Sequence, residues 1–184
     1  MKKRLTLLRK AIINAADQKV EDMNIADLAQ DELYIIQYLS KGREAPDLQG
    51  ADSAGRQMRL SDYKGKVIAL LFWSSGSTDD LDHLLELTSS LQHKFEGKPF
   101  ALVGVNNDPI EVLRALQSPA DSKVTWPNFS DPTNKLAQQF RIGARPLVYV
   151  LGPDRSIQYL GAPGSFVELA VEGLLSEGKK PAPK

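Results

Sequence analysis

The 184-residue sequence contains no cysteine. This absence excludes disulfide bonds, thiolate nucleophiles, thiolate metal ligands and every C-x-x-C redox motif within the chain. It also removes the usual indicator of the redox compartment in which a protein works. Any thiol-disulfide reaction of this protein therefore needs thiols from another molecule.

Charge of one sign and long apolar runs are also lacking. The 23 lysine and arginine residues balance 23 aspartate and glutamate residues, so no net field draws the protein to nucleic acid or to an anionic membrane. The longest apolar run, Val67 to Trp73, is far shorter than the ~20 residues that cross a bilayer. Met1 to Arg4 are basic, but Arg9 and Lys10 interrupt the apolar segment that a signal peptide needs. We expect a soluble protein that binds no nucleic acid and inserts into no membrane.

Two helices are predicted near the start of the chain. Apolar residues recur at helical spacing from Leu5 to Ala16, and a second stripe runs from Leu28 to Leu39. Gly42 follows this stripe and favours the C-terminal cap of the second helix. A polar stretch containing proline and glycine then interrupts the periodicity. The predicted organisation is a helical pair, a main domain and a disordered polar tail, at 1–44, 45–176 and 177–184.

Strands and helices alternate in the main domain. The apolar segments Val67–Trp73 and Phe100–Val105 are predicted to be buried parallel neighbours, joined by a helix over Asp79–Phe95. Further helices are predicted around 109–116, 134–140 and 166–175, and further strands at 147–151 and 157–160. Apolar strands separated by helices indicate an α/β sheet covered on both faces.

A series of short motifs runs through this domain in a specific order. The motifs are Ala45-Pro46-Asp47, Leu60 to Lys66, the strand from Val67, Ser74 to Asp80, Val103 to Asp108, Trp126-Pro127 with Asp131, and Gly143 to Val150. Over Pro46 to Gly161 this series resembles the redoxin family, which includes the TlpA-like thiol-disulfide oxidoreductases and, more distantly, the AhpC/TSA-type peroxiredoxins. The resemblance implies a thioredoxin-like fold, with a central mixed β-sheet flanked by helices, attached to the N-terminal helical extension.

The resemblance places the family's W-x-x-x-C-x-x-C segment at Trp73 to Asp80. Ser77 then stands at the position of the nucleophilic cysteine, and Asp80 at that of the resolving one. A hydroxyl cannot cycle between thiol and disulfide, and a carboxylate cannot resolve a mixed disulfide, so we assign no catalytic residue. Ser77 and Asp80 fit a capping box at the start of the following helix.

Arg145-Pro146 matches the proline that takes the cis form in this family and faces the catalytic pair. The resemblance implies that a peptide-docking edge can outlast the lost chemistry, as a shallow groove formed by Trp73, Ser77, Arg145 and Pro146 that suits strand addition. Alternatively, Pro146 only shapes the start of the strand that follows it. Both interpretations stay open at this point.

Other chemistries have weaker support. Asp79, Asp80, Asp82 and His83 have a helical spacing that can hold a cation, but an acid-rich, solvated first turn is the simpler interpretation. A nucleophilic Ser77 needs a base, and the chain has only two histidines, both at polar helix positions. No phosphate-binding glycine motif is present. We expect neither a metal nor a cofactor.

Two functions follow from these observations. The first is a non-catalytic binding or scaffolding module whose partner is a protein or an extended peptide. Its N-terminal helices are expected either to cover the main domain or to contact a second copy of the chain, which would give a homo-oligomer. The second is an oxidoreductase subunit that works with a partner supplying the thiols. The resemblance implies a periplasmic or exported protein, although we find no signal peptide in the sequence.

Overall fold

The architecture is given by a computed structural model that describes residues 2–14, 19–20, 23–76, 78–119 and 122–177. The N-terminal part contains α1 (Lys2–Asn14), a hairpin of β1 (Lys19–Val20) and β2 (Met23–Asn24), and α2 (Ile25–Tyr38). The main domain then contains β3 (Gln49–Ala51), β4 (Gln57–Arg59), a 3-10 helix (Leu60–Tyr63), β5 (Val67–Trp73), α3 (Thr78–Lys94), β6 (Phe100–Asn106), α4 (Ile110–Leu116), β7 (Asn128–Ser130), α5 (Lys135–Gln139), β8 (Leu147–Leu151), β9 (Ile157–Gly161) and α6 (Ser165–Glu177).

The central sheet is mixed and has the strand order β7-β6-β5-β8-β9. β5 pairs in parallel with β6 along its whole length, so that Trp73 lies opposite Asn106. On its other side β5 pairs antiparallel with β8, where Phe72 lies opposite Leu147. β6 pairs in parallel with β7, and β8 pairs antiparallel with the edge strand β9. The predicted mixed sheet and its two parallel neighbours are confirmed.

Every residue of β5 is buried, because side chains on both faces of the sheet pack under helices. Successive side chains of a strand point to opposite faces. Ile68, Leu70 and Phe72 enter a core cluster shared with α5, while Ala69 and Leu71 enter a second cluster shared with α3, α4 and α6. This two-sided burial explains why the segment is a continuous apolar run rather than an alternating one.

The two N-terminal helices meet the rest of the chain differently. α2 packs on the main domain through Tyr34, Ile35 and Leu39, which join the cluster around α5. Leu28 and Tyr38, which the apolar stripe predicted to be buried, are 38% and 52% exposed. α1 packs against α2. In the described part of the chain, no helix has both the length and the apolar character to cross a bilayer.

The prediction that Gly42 takes the C-terminal cap position of α2 was wrong. The helix ends at Tyr38, and the Leu39 N–H donates to the Ile35 carbonyl. Gly42 does have a positive φ of 83°, but its N–H donates to the Ile157 carbonyl at 2.7 Å. The segment that follows α2 is therefore bonded to the first residue of β9, which ties the N-terminal helices to the main domain.

Candidate functional site

The site expected from the sequence lies at one edge of the central sheet. The parallel strands β5, β6 and β7 end there at Trp73, Asn106 and Ser130, and the antiparallel β8 begins there at Leu147. We call this the carboxyl edge. Ligands of α/β sheets bind outside the carboxyl ends of parallel strands, because the loops that follow the strands gather their side chains at that edge.

The segment Ser74-Ser75-Gly76, which leaves β5 at the carboxyl edge, is held by the carboxylate of Asp108. The Ser75 backbone N–H donates to Asp108 Oδ2 at 2.8 Å, and the Asn106 side-chain amide donates to the same oxygen at 2.8 Å. The Asp108 N–H donates in return to Asn106 Oδ1 at 3.1 Å. Asn106 is fully buried, so the Asp108 carboxylate that holds this segment is itself bound to a residue of the protein interior.

Sequence reasoning included Asn106 and Asp108 in a motif but gave them no role. The signal that could have indicated a role is the change from apolar to polar residues at the end of β6, where Asn106 is the last residue of the strand and Asp108 follows two positions later. Polar side chains next to a buried strand need hydrogen-bond partners, and the loop after the neighbouring strand is where such partners lie.

Trp73 is completely buried, so its side chain does not line the shallow groove that was predicted to include it. Its Nε1 donates to Asn128 Oδ1 at 2.8 Å, and its ring packs near that of Trp126, with centroids 5.9 Å apart. Asn128 Nδ2 donates to the Trp126 carbonyl at 2.7 Å. Trp73 ends a strand that is buried on both faces, so an internal amide, rather than water, satisfies its indole N–H.

Arg145 and Pro146 lie at the carboxyl edge, directly before β8. The peptide bond between them is cis, in agreement with the expectation from the resemblance, and Pro146 is exposed. Arg145 Nη2 donates to Asn134 Oδ1 at 2.5 Å, while its Nε is buried without a hydrogen-bond partner among the described residues. Both residues stay candidates for a binding groove.

A cavity of about 190 Å³ adjoins Pro146 and is lined by Ser74, His83, Leu84, Leu87, Pro146, Ala162 and Pro163. We call it the Pro146 cavity. Its lining is mainly apolar, with one hydroxyl and one imidazole. Its volume is below the about 300 Å³ at which small-molecule sites begin, so it suits a single side chain rather than a whole ligand.

Ser77 lies outside the described residues, as do the side chains of Asp79 and Asp80. The capping box, the contact between Ser77 and Pro146, and the cation-binding alternative at the start of α3 therefore stay predictions. Among the side chains that the structure does describe, no group of three or more histidine, aspartate or glutamate residues could hold a metal ion.

Residues 41–160 match the model of the AhpC/TSA family, which is more than half of the chain. The thiol-disulfide oxidoreductase ResA of Bacillus subtilis (strain 168) is 23% identical over 120 residues, which make up 65% of this chain and 65% of that protein. The chain therefore spans less than two thirds of the length of this curated relative.

Solved structures from two bacteria are similar to the chain. The thioredoxin domain of a thiol-disulfide oxidoreductase from Bacteroides vulgatus has a TM-score of 0.64 and 22% identity, and the match covers 74% of this chain and 98% of that one. A thiol:disulfide interchange protein of the thioredoxin family from Chlorobium tepidum TLS has a TM-score of 0.61 and 16% identity, over 74% of this chain and 98% of that one. At these identities the similarity establishes the thioredoxin fold only. Any reaction has to be argued from the residues of the site.

Proposed function

Because this chain belongs to the AhpC/TSA family and contains no cysteine, we propose that it binds a protein or an extended peptide without performing thiol-disulfide chemistry itself. The observation that carries the proposal is that the two cysteines of the family's motif are absent, while the residues on either side of their positions are held by defined contacts. The loop after β5 is anchored by Asp108, and the turn before β8 presents an exposed Pro146. Neither feature needs cysteine.

The Pro146 cavity supports an apolar side chain as the element that the site recognises. Its apolar lining includes Leu84, Leu87 and Pro163. An extended peptide that passes over Pro146 would place one side chain in this cavity while its backbone runs along the turn before β8, as in strand addition. Main-chain hydrogen bonds would then supply affinity, and the cavity would supply specificity.

The second candidate is an oxidoreductase subunit whose partner supplies the thiols. The similarity to ResA favours it, because that relative is named as a thiol-disulfide oxidoreductase. An insulin-reduction assay separates the candidates. The pure protein should show no turnover in either case, but only the second candidate predicts that adding the partner produces turnover that the partner alone lacks.

Self-association through the N-terminal helices is also part of the proposal. Leu7 and Ile13 of α1 are 67% and 76% exposed, although α1 packs against α2. We expect sedimentation velocity to show a dimer that the variant with both Leu7→Glu and Ile13→Glu abolishes. Phe166→Glu, at an apolar residue of α6 that is 69% exposed, should leave the dimer intact. A wild-type monomer at high concentration contradicts this part of the proposal.

Selection from a library of extended peptides tests peptide binding. We expect selected peptides to share an apolar residue and to shift the NMR signals of Leu84 and Leu87 on binding. Ala162→Arg should abolish binding because Ala162 is exposed and lines the Pro146 cavity, whereas Ala115→Arg, at an exposed residue of α4 outside that cavity, should not. Selected peptides that bind both variants equally well would show that the cavity is not the recognition site.

A further inference from the structure

A second cavity, of about 660 Å³, lies between the β3–β4 turn, α4 and the residues that precede β7. Its described lining includes Arg56, Met58, Arg114, Val124, Trp126 and Asn128. We call it the Arg114 cavity. Its volume falls within the range of about 300–1,000 Å³ that is usual for small-molecule sites. It shares no lining residue with the Pro146 cavity.

Three hydrogen-bond acceptors in the wall of the Arg114 cavity, on Asp52, Gln117 and the Trp126 backbone, are already engaged within the protein. Asp52 accepts from the backbone N–H groups of Ala54 and Arg56 at 2.9 Å each, and from Arg56 Nε at 2.7 Å. Gln117 Oε1 accepts from the Ser53 hydroxyl at 2.8 Å. The Trp126 carbonyl accepts from Gln117 Nε2 at 3.1 Å and also from the Asn128 side chain. A ligand donor would therefore compete with existing hydrogen bonds at these three groups.

Two residues of the wall, in contrast, have hydrogen-bond donors that are not used within the described part of the protein. Trp126 is 2% exposed, and its Nε1 has no hydrogen-bond partner among the described residues. An indole N–H can only donate, so it needs an acceptor that this part of the protein does not provide. Arg114 donates Nε and Nη2 to the Ser53 carbonyl, at 3.2 and 2.9 Å. A guanidinium has five N–H groups, so Arg114 keeps further donors for a ligand.

The charges of the described wall also favour an acceptor. Its charged residues are Asp52, Arg56 and Arg114, and the ion pair of Asp52 with Arg56 leaves the Arg114 guanidinium as the excess charge. Apolar side chains accompany it, because Met58 and Val124 also line the cavity. The described part of the lining thus combines one excess positive charge, a buried N–H donor and apolar side chains.

We propose that the Arg114 cavity binds a small organic acid with an apolar body. The carboxylate pairs with the Arg114 guanidinium, which suits planar carboxylates. An acceptor atom of the ligand takes the Trp126 N–H, and the apolar body contacts Met58 and Val124. The proposal is independent of peptide binding at Pro146, because the two cavities have separate linings.

NMR spectroscopy of the full chain tests the proposal with benzoate, octanoate and 2-naphthoate as probes. The sequence contains two tryptophans, so two indole N–H signals are expected, and Trp126→Phe identifies the one that belongs to Trp126. At least one acid should shift the Trp126 signal downfield in a saturable way, because a new hydrogen bond forms there. The neutral amide of the same acid should bind far more weakly.

Arg114→Gln should weaken binding of that acid by about 10- to 100-fold, because this is the loss of affinity that removing a hydrogen bond to a charged group usually causes. Arg43→Gln, at an exposed arginine outside the cavity, should bind as the wild type does. Intermolecular NOEs to the methyl groups of Met58 and Val124 should accompany binding and do not depend on any variant folding. The proposal is overturned if none of the acids moves the Trp126 signal at millimolar concentration, or if the NOEs place the bound acid elsewhere.

Discussion

The Trp73 indole and the Asn128 side chain form a buried hydrogen bond over a residue without a side chain, Gly104. The donor and acceptor atoms are 2.8 Å apart, and all three residues are buried. A Cβ atom at Gly104 would overlap the Asn128 carboxamide and lie 2.9 Å from Trp73 Nε1. Glycine is therefore needed at position 104, in the middle of a buried strand, because any larger residue would displace the Asn128 side chain.

Gly104→Ala is expected to destabilise the protein by an amount at the upper end of the about 1–3 kcal/mol that overpacking usually costs. The added methyl group must displace Asn128, which breaks the bond to Trp73. Gly173→Ala, in α6 with open space around the new methyl group, should instead stabilise the protein by about 0.5–1 kcal/mol. Urea unfolding measures both changes, and equal free energies of unfolding for the Gly104 variant and the wild type would contradict the steric argument.

The main helices and strands could be predicted because the local pattern of apolar residues shows which segments are buried. Val67–Trp73 and Leu147–Leu151 form strands with the predicted bounds, since each is an uninterrupted apolar segment. β3, β4 and β7 were not predicted, because three residues are too few to show alternation. The end of α2 was misplaced because Gly42 serves the pairing with β9 rather than a helix cap.

The site was less predictable than the fold, because its contacts join residues far apart in sequence. Arg145 and Pro146 came from the family resemblance and do lie at the carboxyl edge. Trp73 was assigned to the shallow groove although it is buried, since its hydrogen-bond partner Asn128 is 55 residues away in sequence. Likewise, no local pattern links the Ser75 amide to Asp108, which is 33 residues further on.

Stability should fall at alkaline pH partly because of Tyr149. Burial raises the pKa of Tyr149 to about 12, and its hydroxyl donates to the Phe140 carbonyl at 3.3 Å. In the unfolded chain tyrosine ionises near pH 10, so the unfolded state loses a proton between about pH 10 and 12 that the folded state keeps. The contribution of Tyr149 is complete below pH 10, and it is lost at up to about 1.4 kcal/mol per pH unit as the pH rises through that window.

Tyr149→Phe isolates this effect, because phenylalanine keeps the ring and removes the titrating group. We expect the free energy of unfolding of the wild type, relative to that of the variant, to decrease as the pH rises from about 9 to 12. Urea unfolding at a series of pH values provides the comparison. Two curves that stay parallel across the window would show that Tyr149 does not titrate differently in the two states.

Asp108→Ala should loosen the loop that replaces the redox motif without unfolding the domain. The Ser75 N–H loses its charged acceptor, so its hydrogen exchange should become about 10- to 100-fold faster. Asp62→Ala is a matched control, since the Asp62 carboxylate accepts from the Arg59 N–H in the turn after β4. The control should speed exchange at Arg59 and leave Ser75 unchanged. Unaltered exchange at Ser75 in the Asp108 variant would mean that the loop is held by other contacts.

Restoring two sulfur atoms should restore some redox chemistry, if the site is degenerate only at its reactive atoms. The variant with both Ser77→Cys and Asp80→Cys places two thiols at positions i and i+3 across the start of α3, which begins at Thr78. The positive end of the helix dipole should favour the thiolate at position 77, although Asp79 opposes it, so we expect weak insulin reductase activity. Ser77→Cys alone should trap a mixed disulfide and give no turnover, because nothing resolves it.

The matched control introduces the same pair within α3, through Ser90→Cys and His93→Cys, at two exposed positions far from the helix start. These thiols have the same spacing but lie away from the helix N-terminus, so they should reduce no insulin. Activity in both double variants would reflect free thiols alone. If the variant at 77 and 80 folds but forms no intramolecular disulfide under mild oxidation, then the loop geometry has departed from that of the family, and the assignment of Ser77 and Asp80 to the two cysteine positions is wrong.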